Sequence, residues 1–146
     1  MNYDLKDSGS RQTFASGAQR DAQSVEKGRY DLISPIAMKR LAIILAKGAL
    51  RYSDRNWEKG MPISRYIDSA IRHLSQYIEG KRDEDHLGQA FWNIHSALHG
   101  EEMISRGIWP KEFWDLPCYI RNKDMDMNTS SWWYGMRKRL DEKENK

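Results

Sequence analysis

Asp68, Arg72, Ser75 and Glu79 recur at intervals of three or four residues, so on a helix they line one polar stripe. Two carboxylates on one stripe are candidate ligands for Mg²⁺, a hard cation that takes oxygen donors and is often held through carboxylates and substrate phosphates. The competing reading is a solvated stripe with an Asp68–Arg72 ion pair. His86, Gln89 and Asn93 share one edge of the next helical segment, and three hydrogen-bonding side chains at the edge of a core suit a pocket that reads a nucleobase. Bonds to neighbouring backbone would satisfy them equally. His95 and His99, near Trp92, have the spacing of a metal pair but lack the Glu of H-E-x-x-H, and they read as surface histidines. Arg20, Lys27, Arg29, Arg51 and Arg55 gather in the two loops that bracket the first helix. The arginine fork makes paired, charge-assisted bonds to phosphate; solvent-exposed charge is the alternative. Trp57, just after Arg55 and Asn56, either stacks on a base or covers the core. The chain has no G-x-x-x-x-G-K-[ST], which excludes a P-loop mechanism. Its single Cys118 has no obvious activating neighbour. Metal-assisted attack by water is the chemistry these residues support.

The elements that must position them are mostly helices. Residues 1–13 are polar and aperiodic and read as a flexible arm; residues 14–33 read as an ordered loop. Ser34 followed by Pro35 marks a helix start, because the hydroxyl can cap free amides and proline has no N–H to satisfy. That helix runs to about Tyr52, and apolar positions over much of its circumference predict that it is central. Gly48 costs it about 1 kcal/mol relative to alanine unless something packs closely there. The segment SDRNWEKGMP is a loop. Ser64 starts a second helix with Ile67, Ala70, Ile71, Leu74, Tyr77 and Ile78 at helical spacing, ending at Gly80. A charged turn, KRDED, leads to a third helix over about 85–104, whose stripe of Leu87, Ala90, Phe91, Ile94 and Leu98 is the predicted core face. Beyond Gly107 one short helix is expected near Pro110, and WWYGMRKRLDEKENK gives a last helical turn before a solvated tail. The fold class is therefore all-α: a compact bundle of about three main helices plus short C-terminal helices. The organisation is a 1–13 arm, a 14–107 nucleotide-binding domain and a 108–146 aromatic-rich extension.

Composition narrows the function further. A chain of 146 residues suits one core. A net charge of only +3, with acidic and basic residues interleaved, argues against duplex DNA, which is met by a clustered basic face. No run nears the roughly 20 apolar residues of a membrane span, and MNYDLKDSGSRQTF lacks a signal peptide's basic start and apolar run. A lone cysteine asks for no oxidising compartment. The expectation is a cytosolic protein.

Taken together, F14-A-S-G-A-Q-R-D21, K27-G-R-Y-D-L-I33, Y52-S-D-R-N-W-E-K-G60, D68-S-A-I-R-H-L74 and H86-L-G-Q-A-F-W-N93 resemble the N-terminal domain of the phage and prophage dATP/dGTP diphosphohydrolase family, over about residues 14–100. The resemblance implies a MazG-like all-α fold, usually a homo-oligomer, that uses Mg²⁺ (or Mn²⁺) to cleave a purine deoxynucleoside triphosphate to monophosphate and pyrophosphate and so reshapes the nucleotide pool during infection. It carries Arg29 and Asp31, then Arg55, Asn56 and Trp57, then Asp68, Arg72 and His73, then His86 and Asn93 as motif residues. On that footing Asp31, Asp68 and Glu79 hold the metal and a water. Arg20, Lys27, Arg29, Arg55 and Arg72 bind phosphate, and Asn56, Trp57, His86, Gln89 and Asn93 read the base. The wider MazG-like group carries E-x-x-E and E-x-x-D on adjacent helices; here that acidic quartet is absent, and the third-helix positions read His86 and Gln89. Its absence keeps a second function in view, a nucleotide-binding sensor or sponge without chemistry. A third is a partner-binding helical protein using the aromatic segment 109–134.

Overall fold

The computed structural model describes residues 9–24 and 27–117, and the chain divides into two compact units, Met1–Pro35 and Ile36–Lys146. In the first, strands β1 (Arg11–Thr13) and β2 (Gln19–Asp21) pair antiparallel, with Gln12 opposite Arg20. The connecting turn is closed by Phe14 N–H to Ala18 O (2.9 Å) and Gly17 N–H to Phe14 O (2.8 Å). Sequence periodicity had no purchase on strands of three residues, so a hairpin stands where arm and loop were expected. A 3₁₀ turn over Tyr30–Leu32 follows.

The second unit holds the helices, and the fold is mainly α-helical. Helix α1 (Pro35–Tyr52) starts at the predicted proline. Helix α2 (Ile63–Ile78) and helix α3 (His86–Ser105) form an antiparallel pair around the core. Short 3₁₀ turns lie over Asn56–Lys59 and Lys111–Phe113, the second beside the predicted Pro110. The proposed helical turn near WWYGMRKRL falls outside the described residues.

The core joins Ile63, Tyr66 and Ala97, with Met61, Ile67, Trp92, Ile104, Trp114 and Leu116 packed around them. Two expectations are corrected by it. Helix α1 is not central: only Leu41 and Ile44 are buried, while Ile36, Ile43 and Leu50 stay exposed. The face that α3 turns inward is small and polar, comprising His86, Gly88, Ala90, Asn93, Ser96, Ala97 and Gly100. Of the predicted stripe only Ala90 is buried; Leu87, Phe91, Ile94 and Leu98 face outward with 38% to 62% of their surface exposed. Close approach is the physical reason. A Cβ on Gly100 would stand 2.7 Å from Ile63 Cδ1 and 2.9 Å from Trp109 Cζ3, and one on Gly60 would stand 2.8 Å from Trp109 Cδ2. Small residues let these bulky side chains reach the helix, and Trp109 is wedged between two glycines. Asp115 ties the same end of the pair together, accepting from Ser64 N–H (2.9 Å) and Ser64 Oγ–H (2.5 Å) at the first turn of α2.

Candidate functional site

The turn end of the α2–α3 hairpin is fixed from both sides. Helix α2 terminates where Gly80, at φ +89°, takes a left-handed conformation open to glycine at no steric cost. Gly80 N–H bonds Tyr77 O (3.1 Å) and Lys81 N–H bonds Gln76 O (3.0 Å), the double closure of a Schellman motif. Helix α3 begins at a capping aspartate: Asp85 accepts from Gly88 N–H at 2.9 Å, satisfying a free amide of the first turn. Arg40 of α1 grips the same carboxylate through Nε (3.0 Å) and a second short contact from Nη2. This pairing holds the Asp85 carboxyl below its ordinary range.

Between these anchors, three donors converge. His73 sits on the last turns of α2, Glu84 in the turn and His86 at the first position of α3. Their potential ligand atoms all lie within 4.8 Å of one another, and among the described residues they are the one group of three His, Cys, Asp or Glu side chains so disposed. His73 Nδ1 is 3.2 Å from His86 Nδ1. Glu84 Oε1 is 3.6 Å from the first nitrogen and 3.5 Å from the second. Both rings are buried, with 7% and 2% of their surface exposed, whereas Glu84 reaches solvent.

Hydrogen bonding assigns the rings. His86 Nε2 lies 2.9 Å from Asp83 Oδ1, and this bond is the main reason the Asp83 carboxyl titrates below its usual range. An ionised carboxylate can only accept, so Nε2 donates to Asp83 while Nδ1 faces the cluster. Burial lowers the pKa of His73, with Glu84 opposing and Arg72 and His86 adding to the depression. The cluster thus offers two imidazoles and one carboxylate, a set able to hold a divalent cation.

The other sequence candidates are distributed as follows. Asp68 is exposed on α2, and Glu79 lies just past its end, paired with Lys81 at 2.9 Å. They stand eleven positions apart along the helix and its cap, a rise of about 16 Å, so the helix does not bring both carboxylates to one ion. Arg72 makes one long bond, to Ser69 Oγ at 3.5 Å. Asp31 is engaged by Arg29 through two bonds of 2.7 and 2.6 Å, which depress its pKa. Lys27 donates to Ala22 O at 2.9 Å, and Arg20 is exposed on β2. Arg55 takes a left-handed φ of +56° and pairs with Glu58 at 2.7 Å. Arg51 lies over the Tyr52 ring. Trp57 packs edge-on against His95 and His99, with ring centres at 5.3 and 4.9 Å. Those two histidines, read as surface residues, are half-buried under it. Asn56 and Gln89 are partly buried, and buried Asn93 donates to Gln89 O at 2.9 Å. Sequence reasoning named His86 for a base and His73 only within a motif, and it missed Asp83 and Glu84. The available signal was two histidines flanking a short acidic turn, which an antiparallel hairpin must bring face to face.

These features define a mainly helical protein with a candidate cation site at the turn of a helical hairpin. The family model of the dATP/dGTP diphosphohydrolase N-terminal domain matches residues 17–106, and the chain belongs to that family. No curated protein and no solved structure matches it. Among the described residues, no helix is long and apolar enough to cross a membrane.

Proposed function

We propose that the protein is a divalent-cation-dependent nucleoside triphosphate diphosphohydrolase that cleaves dATP and dGTP to the monophosphate and pyrophosphate. The observation that carries this reading is the convergence of His73, Glu84 and His86 within a chain of a diphosphohydrolase family. The reading moves the cation away from Asp31 and Glu79, whose carboxylates are engaged by Arg29 and Lys81. A bound cation would supply Lewis-acid polarisation of a phosphoryl oxygen. Asp83 fixes the ring of His86, as carboxylates commonly do for ligating histidines. Arg72, next to His73 in sequence and bonded among the described residues to Ser69 Oγ at 3.5 Å, is a candidate to take a phosphate oxygen, and Asp68 one turn earlier is a candidate to orient water. Arg20, Lys27, Arg29 and Arg55 are the further phosphate candidates; Asn56, Trp57, Gln89 and Asn93 are those for the base.

In this reading the protein works as a homo-oligomer in the cytosol, controlling a phage-altered nucleotide pool. The outward apolar residues Leu87, Phe91, Ile94 and Leu98 support the assembly, since large exposed apolar patches mark interaction surfaces. The test is a product assay with each deoxynucleoside triphosphate, with divalent cation or chelator. Cation-dependent release of pyrophosphate and monophosphate from purine substrates is expected. Retention of nucleotide without turnover would instead support a capture protein, a reading favoured by the absent acidic quartet.

A further inference from the structure

We infer that the His73–Glu84–His86 cluster is a site for a borderline transition cation of the zinc class (Zn²⁺ or Co²⁺) rather than for Mg²⁺, with three protein ligands and an open position. The inference rests on the proposed function only in sharing its site; the chemistry of the donors carries it.

The first argument is spacing. A tetrahedral ion with nitrogen and oxygen ligands at 2.0–2.1 Å separates its donors by about 3.3–3.5 Å. An octahedral Mg²⁺ with ligands at a similar distance separates neighbouring donors by only about 2.8–3.0 Å. The three separations here are 3.2, 3.5 and 3.6 Å, on the tetrahedral side of the division. The second is donor type. Two imidazole nitrogens suit zinc-like ions, whereas Mg²⁺ takes oxygen and keeps its waters.

The third is support. His86 Nε2 lies 2.9 Å from Asp83 Oδ1, and both rings are more than nine-tenths buried, so the donors are held in place by the fold. The Asp83–His86–cation order is also the carboxylate–histidine–metal arrangement that orients ligating rings.

The experiment uses the tag-free full chain, stripped with chelator and titrated with Co²⁺ alone, followed by calorimetry and visible ligand-field absorption. Saturable binding of one Co²⁺ per chain is expected, displaced by Zn²⁺ and resistant to a large excess of Mg²⁺. His73→Gln removes the site, and Asp83→Asn weakens it by about 10- to 100-fold. Should His73→Gln lose its helical circular dichroism, Glu84→Gln, altered at a side chain open to solvent, carries the test by binding Co²⁺ more weakly than wild type. Displacement of Co²⁺ by Mg²⁺, or unchanged Co²⁺ binding in a folded His73→Gln or Glu84→Gln variant, overturns the inference. Co²⁺ binding as expected in a chain that cleaves no nucleotide overturns the proposed function alone; turnover with Mg²⁺ in a chain without the Co²⁺ site overturns this inference alone.

Discussion

Glycine-to-alanine replacement at two helical positions isolates the close packing that holds the hairpin. At Gly48, in α1, an added Cβ meets nothing within 4 Å, so alanine brings only its helix preference, about 1 kcal/mol of stabilisation. At Gly100, in α3, the same methyl meets Ile63 Cδ1 at 2.7 Å and Trp109 Cζ3 at 2.9 Å. Ordinary carbon contacts need about 3.5–4.0 Å, so both side chains must retreat. Ile63 and Trp109 are 1% and 7% exposed, which leaves little room for retreat. Overpacking of this kind costs about 1–3 kcal/mol. Helix preference contributes equally to both variants and cancels, so Gly100→Ala is expected to be about 1–3 kcal/mol less stable than Gly48→Ala. For a unit near 100 residues each kcal/mol moves Tm by about 4–8 °C. Urea unfolding followed by circular dichroism reads the difference directly. Equal stabilisation by the two substitutions would refute the packing argument and, with it, the account of why α3 turns a small-residue face inward.

Further outcomes follow from the site and its supports. Replacing His73 by Gln lowers cation-dependent turnover by about a hundredfold or more, the scale for losing a preorganised electrostatic contact, while Glu79→Gln leaves turnover within about twofold because surface ion pairs such as Glu79–Lys81 contribute little; steady-state kinetics on both variants checks the cation assignment. Arg72→Ala raises KM more than it lowers kcat if its contact to phosphate is made equally in ground and transition states, measured over a range of triphosphate concentrations. The bonds from Ser64 hold the Asp115 carboxyl below its ordinary value. That contribution to stability is therefore complete above the unfolded aspartate pKa of about 3.9 and is lost as pH falls through the lower folded value. Asp115→Ala should flatten the acid limb of stability below about pH 4, which Tm measured as a function of pH will show; an unchanged limb would remove Asp115 from the clamp.

Much of this architecture was legible because local chemistry announces it. Ser34-Pro35 fixed the start of α1, Gly80 the end of α2, and the three-four spacing of apolar residues located both members of the hairpin. Hydrophobic pattern failed where it was asked which face is inside. Leu87, Phe91, Ile94 and Leu98 form the stronger apolar stripe, yet Gly88, Ser96 and Gly100 face the core because interaxial approach rewards smallness there. The candidate site was half legible. Its polar residues could be named one at a time, but His73 and His86 lie thirteen residues apart in sequence and meet only across the closed turn. Glu84 and Asp83, inside a run of charges, looked like any solvated connection.

The two faces of α3 also separate what the helix holds from what it offers. Its inner face, anchored by Asp85 at one end and by Trp109 against Gly100 at the other, fixes His86 without help from the large apolar side chains. On the proposed reading, substitutions at Leu87, Phe91, Ile94 or Leu98 give selection, or an engineer, a way to alter the assembly separately from the donor set.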